Sequence, residues 1–201
     1  MPVSARPAPE PSLTGLVRLA HTGLQVPDAR VRVARCRPYY VSRWEYRALL
    51  MRGRQQVGQI RGPLPDVAAP EAAACEPVVS FHPCGRVFTP EDLERFAAAC
   101  RLDGRVLSPA RVLMLLVDEY RLEQMVRGCA HRGGVMARFV DQEQAYYIPL
   151  RTWPRSAEER AVALAHLERA SGVGGPWWIW DGQGWGLLSV PDPPSAVPGG
   201  A

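Results

Sequence analysis

Apolar and polar residues alternate at the start of residues 30–37, R-V-R-V-A-R-C-R. This predicts a strand with Arg30 and Arg32 on one face and Val31 and Val33 on the other. The phase slips near Ala34, the mark of a β-bulge or of a strand's end, and Pro38 closes the stretch. The next stretch has a different period. Ser42-Arg43-Trp44-Glu45 matches a capping box, in which the serine hydroxyl and the glutamate satisfy backbone N–H groups reciprocally. A helix is expected from about 43 to 51, with Trp44, Ala48 and Met51 at helical spacing beside Tyr46, Leu49 and Leu50. Gly53 would end it, and a short strand is expected over 55–60. Upstream, Leu13, Leu16, Val17 and Ala20 place a short helix over 12–21, stopped by Gly23.

Downstream, residues 78–81 are a short apolar strand. Thr89-Pro90-Glu91-Asp92 opens a helix: a threonine cap, proline at the first helical position, and acids where the dipole favours them. Ser108-Pro109 repeats the signal and opens the longest helix, which Gly128 should stop; its run 112–117 is apolar all round and so central to a core. Residues 135–140, then 141–144, then 145–150 read as a hairpin with a four-residue connection. Ser156 to Glu159 is a second capping box, for a helix to about Ala170, and 177–180 with 185–190 forms a closing hairpin.

Together these give an α+β protein, a helical core with two β-hairpins and a smaller basic N-terminal αβ module. Proline-rich residues 1–11 should be a disordered tail, 12–62 the basic module, 63–77 a proline- and alanine-rich linker, 78–190 the α+β core domain, and 191–201 a second disordered tail. Fifty residues are few for independent stability, so the module should dock on the core domain. No internal repeat appears.

With 47% hydrophobic and 22% charged residues, the chain is neither disordered nor fibrous by composition. All 24 basic residues are arginine, as drift in a GC-rich genome produces, so arginine count by itself carries no function. No signal peptide is visible, and the longest apolar run, 112–117, is far short of a membrane span. Five cysteines at irregular spacing (36, 75, 84, 100 and 129) read as reduced thiols, and a cytoplasmic location is expected.

Placement of charge changes the picture. Residues 30–61 hold nine arginines and a single acid, Glu45, a net charge of +8 inside a chain whose total is +4. Tyr39, Tyr40, Trp44 and Tyr46 lie in the same stretch. Cations track a phosphate backbone and flat rings stack on bases, so the expected function is non-enzymatic nucleic-acid binding, DNA favoured weakly over RNA. The expected contact residues are Arg30, Arg32, Arg35, Arg37, Tyr39, Tyr40, Arg43, Arg47, Arg52 and Arg54. Tyr46 and Trp44, at helical spacing with aliphatics, fit a core better than a stacking platform. The competing expectation is an adaptor that grips an acidic partner with the same arginines, and adds an apolar contact from Trp177, Trp178, Trp180 and Trp185.

Other chemistries fit less well. The two capped helices after Thr89 are seven residues apart, too far for a helix-turn-helix, and the second would offer Val112, Leu113 and Met114 where base-reading groups belong. The third helix with the tryptophan hairpin has the order of a winged helix, but Glu158, Glu159 and Glu168 interrupt its basic face. His82, Cys84, Cys129 and His131, with Cys75, supply zinc-type ligands at spacings that match no common framework, so no metal or cofactor is expected. Cys84 or Cys129 with His82, His131 or His166 has no local oxyanion hole. Asp118 and Glu119, being adjacent, diverge on a helix. No phosphate-binding glycine loop exists.

Overall fold

The computed structural model describes residues 15–38, 45–63, 78–140 and 145–189. The described residues form a mixed α+β fold, with three helices and antiparallel sheets. It divides into two compact units, residues 1–121 and 122–201.

The first unit begins with two short strands, β1 (Val17–Arg18) and β2 (Gln25–Val26), paired antiparallel. No helix forms over residues 15–21; Ser12 to Thr14 lie outside the described residues. The turn between the strands is held from a distance in sequence. The Glu119 carboxylate accepts hydrogen bonds from the His21 N–H (3.1 Å), the Thr22 N–H (2.7 Å) and the Thr22 hydroxyl (2.9 Å). This places Leu24 and Val26 in the core with no exposed surface. Glu119→Ala removes the acceptor from two backbone donors and a hydroxyl, so a loss of about 2–4 kcal/mol in urea unfolding is expected, against a smaller loss for Glu119→Gln.

The main sheet of this unit has the order β3-β4-β5-β6, from β3 (Val31–Pro38), β4 (Glu45–Arg52), β5 (Gln55–Pro63) and β6 (Ser80–Pro83), every pair antiparallel. The helix expected over 43–51 is a strand from Glu45 onward. The reason lies in a second period carried by the same residues: Glu45 and Arg47 are exposed while Tyr46, Ala48 and Leu50 are buried. Pairing with β3 on one side and β5 on the other satisfies the backbone of β4, and tertiary pairing overrides the helical spacing. Residues 42–44 of the capping-box motif lie outside the described residues. β6 comes after the stretch expected to be a linker, yet it pairs with β5, so residues 63–77 do not divide the basic strands from the rest of this unit.

The sheet's inner face packs on α1 (Pro90–Ala99) and the first half of α2 (Pro109–His131), in a core built from Val31, Val33, Ala48, Leu50, Ile60, Phe96, Leu113 and Leu116 among others. Thr89 caps α1: its hydroxyl accepts from the Asp92 N–H while the Asp92 carboxylate accepts from the Thr89 N–H. Gly58 and Gly62 are glycines for reasons of space. A Cβ on Gly58 would stand 2.1 Å from the Phe81 ring, and one on Gly62 would stand 2.9 Å from the Tyr46 hydroxyl.

Asp118, on α2, shares an electrostatic neighbourhood with Tyr46 and Cys36 from the sheet. Burial pushes its carboxyl above the usual range, opposed by Arg121 and Arg111. A raised carboxyl pKa means stability is fullest below the unfolded value and declines as pH rises through the folded one. Asp118→Asn is therefore expected to raise Tm at pH 7, with the gain disappearing below about pH 4. A lower Tm at pH 7 would contradict it.

In the second unit the sheet order is β10-β9-β7-β8, from β7 (Val135–Val140), β8 (Ala145–Leu150), β9 (Trp177–Trp180) and β10 (Trp185–Leu188). α3 (Ala157–Ser171) starts at the Ser156–Glu159 capping box and ends at Gly172 in the left-handed conformation, φ 74°. Leu167 of α3 joins Trp177, Ile179, Ala137 and Phe139 in one cluster. A second cluster gathers Val126, Cys129 and Met136, with Tyr147, Trp180 and Trp185 packed against it. α2 runs through Gly128 rather than stopping there, and its end is closed by the N–H groups of Gly133 and Gly134 bonding to Ala130 and Cys129 carbonyls.

Candidate functional site

The register of the first unit's sheet decides where the arginines go. Val33 pairs with Leu50 and Arg35 with Leu49, so Ala34 is an extra residue, a β-bulge. In an unbroken strand, Arg32 and Arg35 would point to opposite faces because they are three residues apart. The bulge resets the phase, and Arg32, Arg35 and Arg37 all stand on the outer face, exposed, while Val31 and Val33 are buried beneath them. A second register shift, at Val57 on β5, does the same for Gln56, Gln59 and Arg61.

Cross-strand partners share a face, so the outer surface is a grid. Arg37 pairs with Arg47, Arg47 with Arg61, and Arg61 with Ser80. Next to that row come Arg35, Leu49, Gln59 and His82, and then Arg32, Met51 and Gln56. The Tyr46 and Phe81 rings turn the other way. Tyr46 is buried, and Phe81 pairs with Ile60 and packs at 6.0 Å on Phe88. Burial also raises the Tyr46 hydroxyl well above its ordinary pKa.

Not every expected contact residue is open. Asp28 takes two of them: its carboxylate is 2.9 Å from Arg30 Nε and 3.3 Å from Arg52 Nε. Arg52 pairs with buried Val31, on the opposite parity from the grid, which is why it meets Asp28 at the sheet's end. The hydrogen bond from the Arg30 side chain, foremost, holds the Asp28 carboxyl down at about 2. A depressed carboxyl pKa means the pairing is present above the normal carboxylate range and is lost only as pH falls through about 2. By contrast Arg32, Arg35, Arg37, Arg47 and Arg54 are exposed and make no ion pair with any described residue. Arg61 is half-buried and has other interactions within the chain. Tyr39, Tyr40 and Arg43 lie outside the described residues.

Asp28→Asn tests the pairing by gain. The neutral side chain keeps an oxygen for the Arg30 N–H but releases two guanidinium groups. Surface pairs of this kind contribute about 0–1 kcal/mol, so stability should barely change. Affinity for a polyanion should rise several-fold, with a salt slope steeper by about 1–2.

The other candidate residues are dispersed. Cys84 Sγ accepts from Gln56 Nε2 at 3.2 Å, and His82 Nε2 is hydrogen-bonded to Ser80 Oγ at 3.2 Å. Among the described residues no three His, Cys, Asp or Glu side chains are grouped to hold a metal ion. Burial raises the thiols of Cys36, Cys129 and Cys100, the last to about 12, so these three remain protonated at neutral pH. Cys75 lies outside the described residues.

The tryptophans divide by strand parity. Trp177 has no exposed surface, and Trp180 and Trp185 meet edge to face at 5.3 Å with the Arg138 guanidinium 4.3 Å from the Trp185 ring centre. Trp178 is 37% exposed and pairs across the strands with Leu187, 53% exposed. No helix among the described residues is long and apolar enough to cross a membrane. No protein-family model, curated protein or solved structure matches this chain.

Proposed function

We propose that the outer face of the β3–β6 sheet is a nucleic-acid-binding surface, non-enzymatic and of low sequence specificity. One observation carries the reading: Arg32, Arg35, Arg37 and Arg47 stand together on one face, and no described carboxylate pairs with any of them. Four cations held side by side repel one another, and that repulsion is relieved by a polyanion. Arg54, exposed at the β4–β5 turn, extends the surface. On this reading the basic sheet is the working module, the strand pairs 135–150 and 177–188 belong to the second unit, and the protein acts in the reducing cytoplasm.

The test is fluorescence anisotropy with a labelled oligonucleotide across a salt series. If about five phosphates are neutralised, the log–log slope should be roughly −3.5 to −4.5. Binding that is indifferent to salt would count against the proposal.

The adaptor reading has one observation in its favour, the exposed cross-strand pair of Trp178 and Leu187. Of the four tryptophans Trp178 is the exposed one, Trp177 being buried and Trp180 and Trp185 half-buried. Trp178→Ala would weaken an adaptor complex without changing the oligonucleotide salt slope.

A further inference from the structure

Independently of the nucleic-acid reading, we infer that β10 is a self-pairing edge. Two copies of the chain join β10 to β10, antiparallel, about a two-fold axis at Gly186, and the second unit's sheet continues from one copy into the next.

The edges of the two four-stranded sheets are β3, β6, β8 and β10. An edge strand presents unpaired backbone groups, and proteins protect such an edge with charges or prolines. β3 carries Arg32, Arg35 and Arg37 and ends at Pro38, β6 ends at Pro83, and β8 contains Pro149. β10, Trp-Gly-Leu-Leu, has neither, and residues 182–191 contain no charged side chain. Two copies therefore meet there without like charges opposed. Among the described residues no strand pairs with the outer side of β10.

The turn fixes which backbone groups that side offers. The Asp181 N–H donates to the Gly184 carbonyl at 3.0 Å, so these two residues turn their hydrogen-bonding groups towards each other. Alternation along an antiparallel ladder then turns the groups of Gly186 and Leu188 towards β9 and those of Trp185 and Leu187 outward. Within β10, the register that uses both outward residues of each copy is centred on Gly186. It sets Trp185 opposite Leu187 of the second copy, and Leu187 opposite Trp185 of the second copy.

The side chains fit that register. Trp178, Trp180, Trp185 and Leu187 share one face of the sheet. Val126 and Cys129 of α2, with Met136, cover Trp180 and Trp185, whereas Trp178 and Leu187 stay exposed. Pairing at Gly186 carries the row Trp178–Leu187 on into Trp185 and Trp180 of the second copy, apolar against apolar. Contact through one short strand is weak, so the paired form grows with concentration.

The experiment is sedimentation equilibrium on the nuclease-treated full chain, from about 5 to about 500 µM, at a salt concentration of about 0.5 M that suppresses bridging by polyanions. The expected weight-average mass rises from that of one chain towards that of two. Leu187→Pro removes an outward N–H and leaves the ladder with β9 intact, so it should keep the wild-type Tm and the mass of one chain. Gly186→Cys gives a readout that does not depend on how the proline variant folds. Its added Cβ meets nothing within 4 Å, and facing residues of a non-hydrogen-bonded pair have Cα atoms about 4.5 Å apart, within disulfide reach. Air oxidation should link this variant into a covalent dimer. Gly184→Cys, equally unobstructed, stands about 13 Å or more from its counterpart and should not link. The mass of one chain at every concentration would overturn the self-pairing. Undiminished association of a folded Leu187→Pro would overturn the assignment to β10, and equal linking of the two cysteine variants would overturn the register.

Discussion

Deleting Ala34 should abolish cooperative folding of the first unit. The bulge is the one place where β3 changes phase, so its removal inverts half the strand against the other half. If residues 35–38 keep their places, Arg32 turns into the core and Val31 and Val33 turn out. If residues 31–33 keep theirs, Arg35 and Arg37 turn in. Either way at least one guanidinium is buried among Val, Leu and Ile side chains without a carboxylate, at several kcal/mol per ion. Two valines lose burial or two ions gain it, a total comparable with the roughly 5–15 kcal/mol that separates folded from unfolded domains. Near-UV circular dichroism and urea unfolding check this. Ala34→Lys is the control, because residue 34 is exposed: it keeps the extra residue and should shift stability by less than about 1 kcal/mol. A deletion mutant with native melting behaviour would show that the phase change at Ala34 does not organise the strand.

The second large effect is on binding. Replacing Arg32, Arg35, Arg37 and Arg47 together by glutamine should leave the fold intact, since all four are exposed and none is ion-paired with a described residue. Stability should hold or rise slightly as mutual repulsion is removed. Affinity for a DNA duplex at about 50 mM salt should fall roughly 10²–10³-fold, and the salt slope should flatten from about −4 towards −1. The two readouts separate a binding role from a structural one: an unchanged Tm with lost affinity places the four on the working surface, and a collapsed Tm would mean that they hold the unit together. Asp28→Asn should move affinity in the opposite direction, and no account in which the arginines merely decorate the surface predicts both signs.

Much of the candidate surface was legible in the sequence. Alternation at Arg30 to Val33 gave the strand, and the slip at Ala34 left a bulge or the strand's end open, which the pairing with β4 resolves as a bulge. The capped starts of α1 and α3 and the extents of β7 and β8 were legible because caps and short apolar runs bounded by polar residues are local signals.

β4 was not legible. The order Glu45, Tyr46, Arg47, Ala48 satisfies alternation, while Trp44, Ala48 and Met51 satisfy a helical stripe, and Ser42 to Glu45 satisfies a capping rule. Only pairing with the strands on either side chooses between them. The same limit hid the row of Arg37, Arg47 and Arg61, which exists only through pairing, and the diversion of Arg30 and Arg52 to Asp28, an acid just outside the basic stretch. It also hid β6. Prolines and alanines over 63–77 resemble a linker, yet the strand beyond them returns to β5. Gly128 marked a helix stop by composition, but α2 continues to His131 because the N–H groups that close it come from Arg132 to Gly134.

The most direct test leaves the protein unmutated. Arginine side chains can be labelled with a dicarbonyl reagent, in the presence and absence of a DNA duplex at low salt, and the extent of labelling read residue by residue by mass spectrometry. The outer-face assignment predicts that Arg32, Arg35, Arg37 and Arg47 are labelled readily in the free protein and protected in the complex, with Arg95 and Arg127, ion-paired on helix surfaces to Asp92 and Glu123, unaffected by the duplex. Protection spread over the helices, or four β3–β4 arginines labelled equally well with and without DNA, would contradict it.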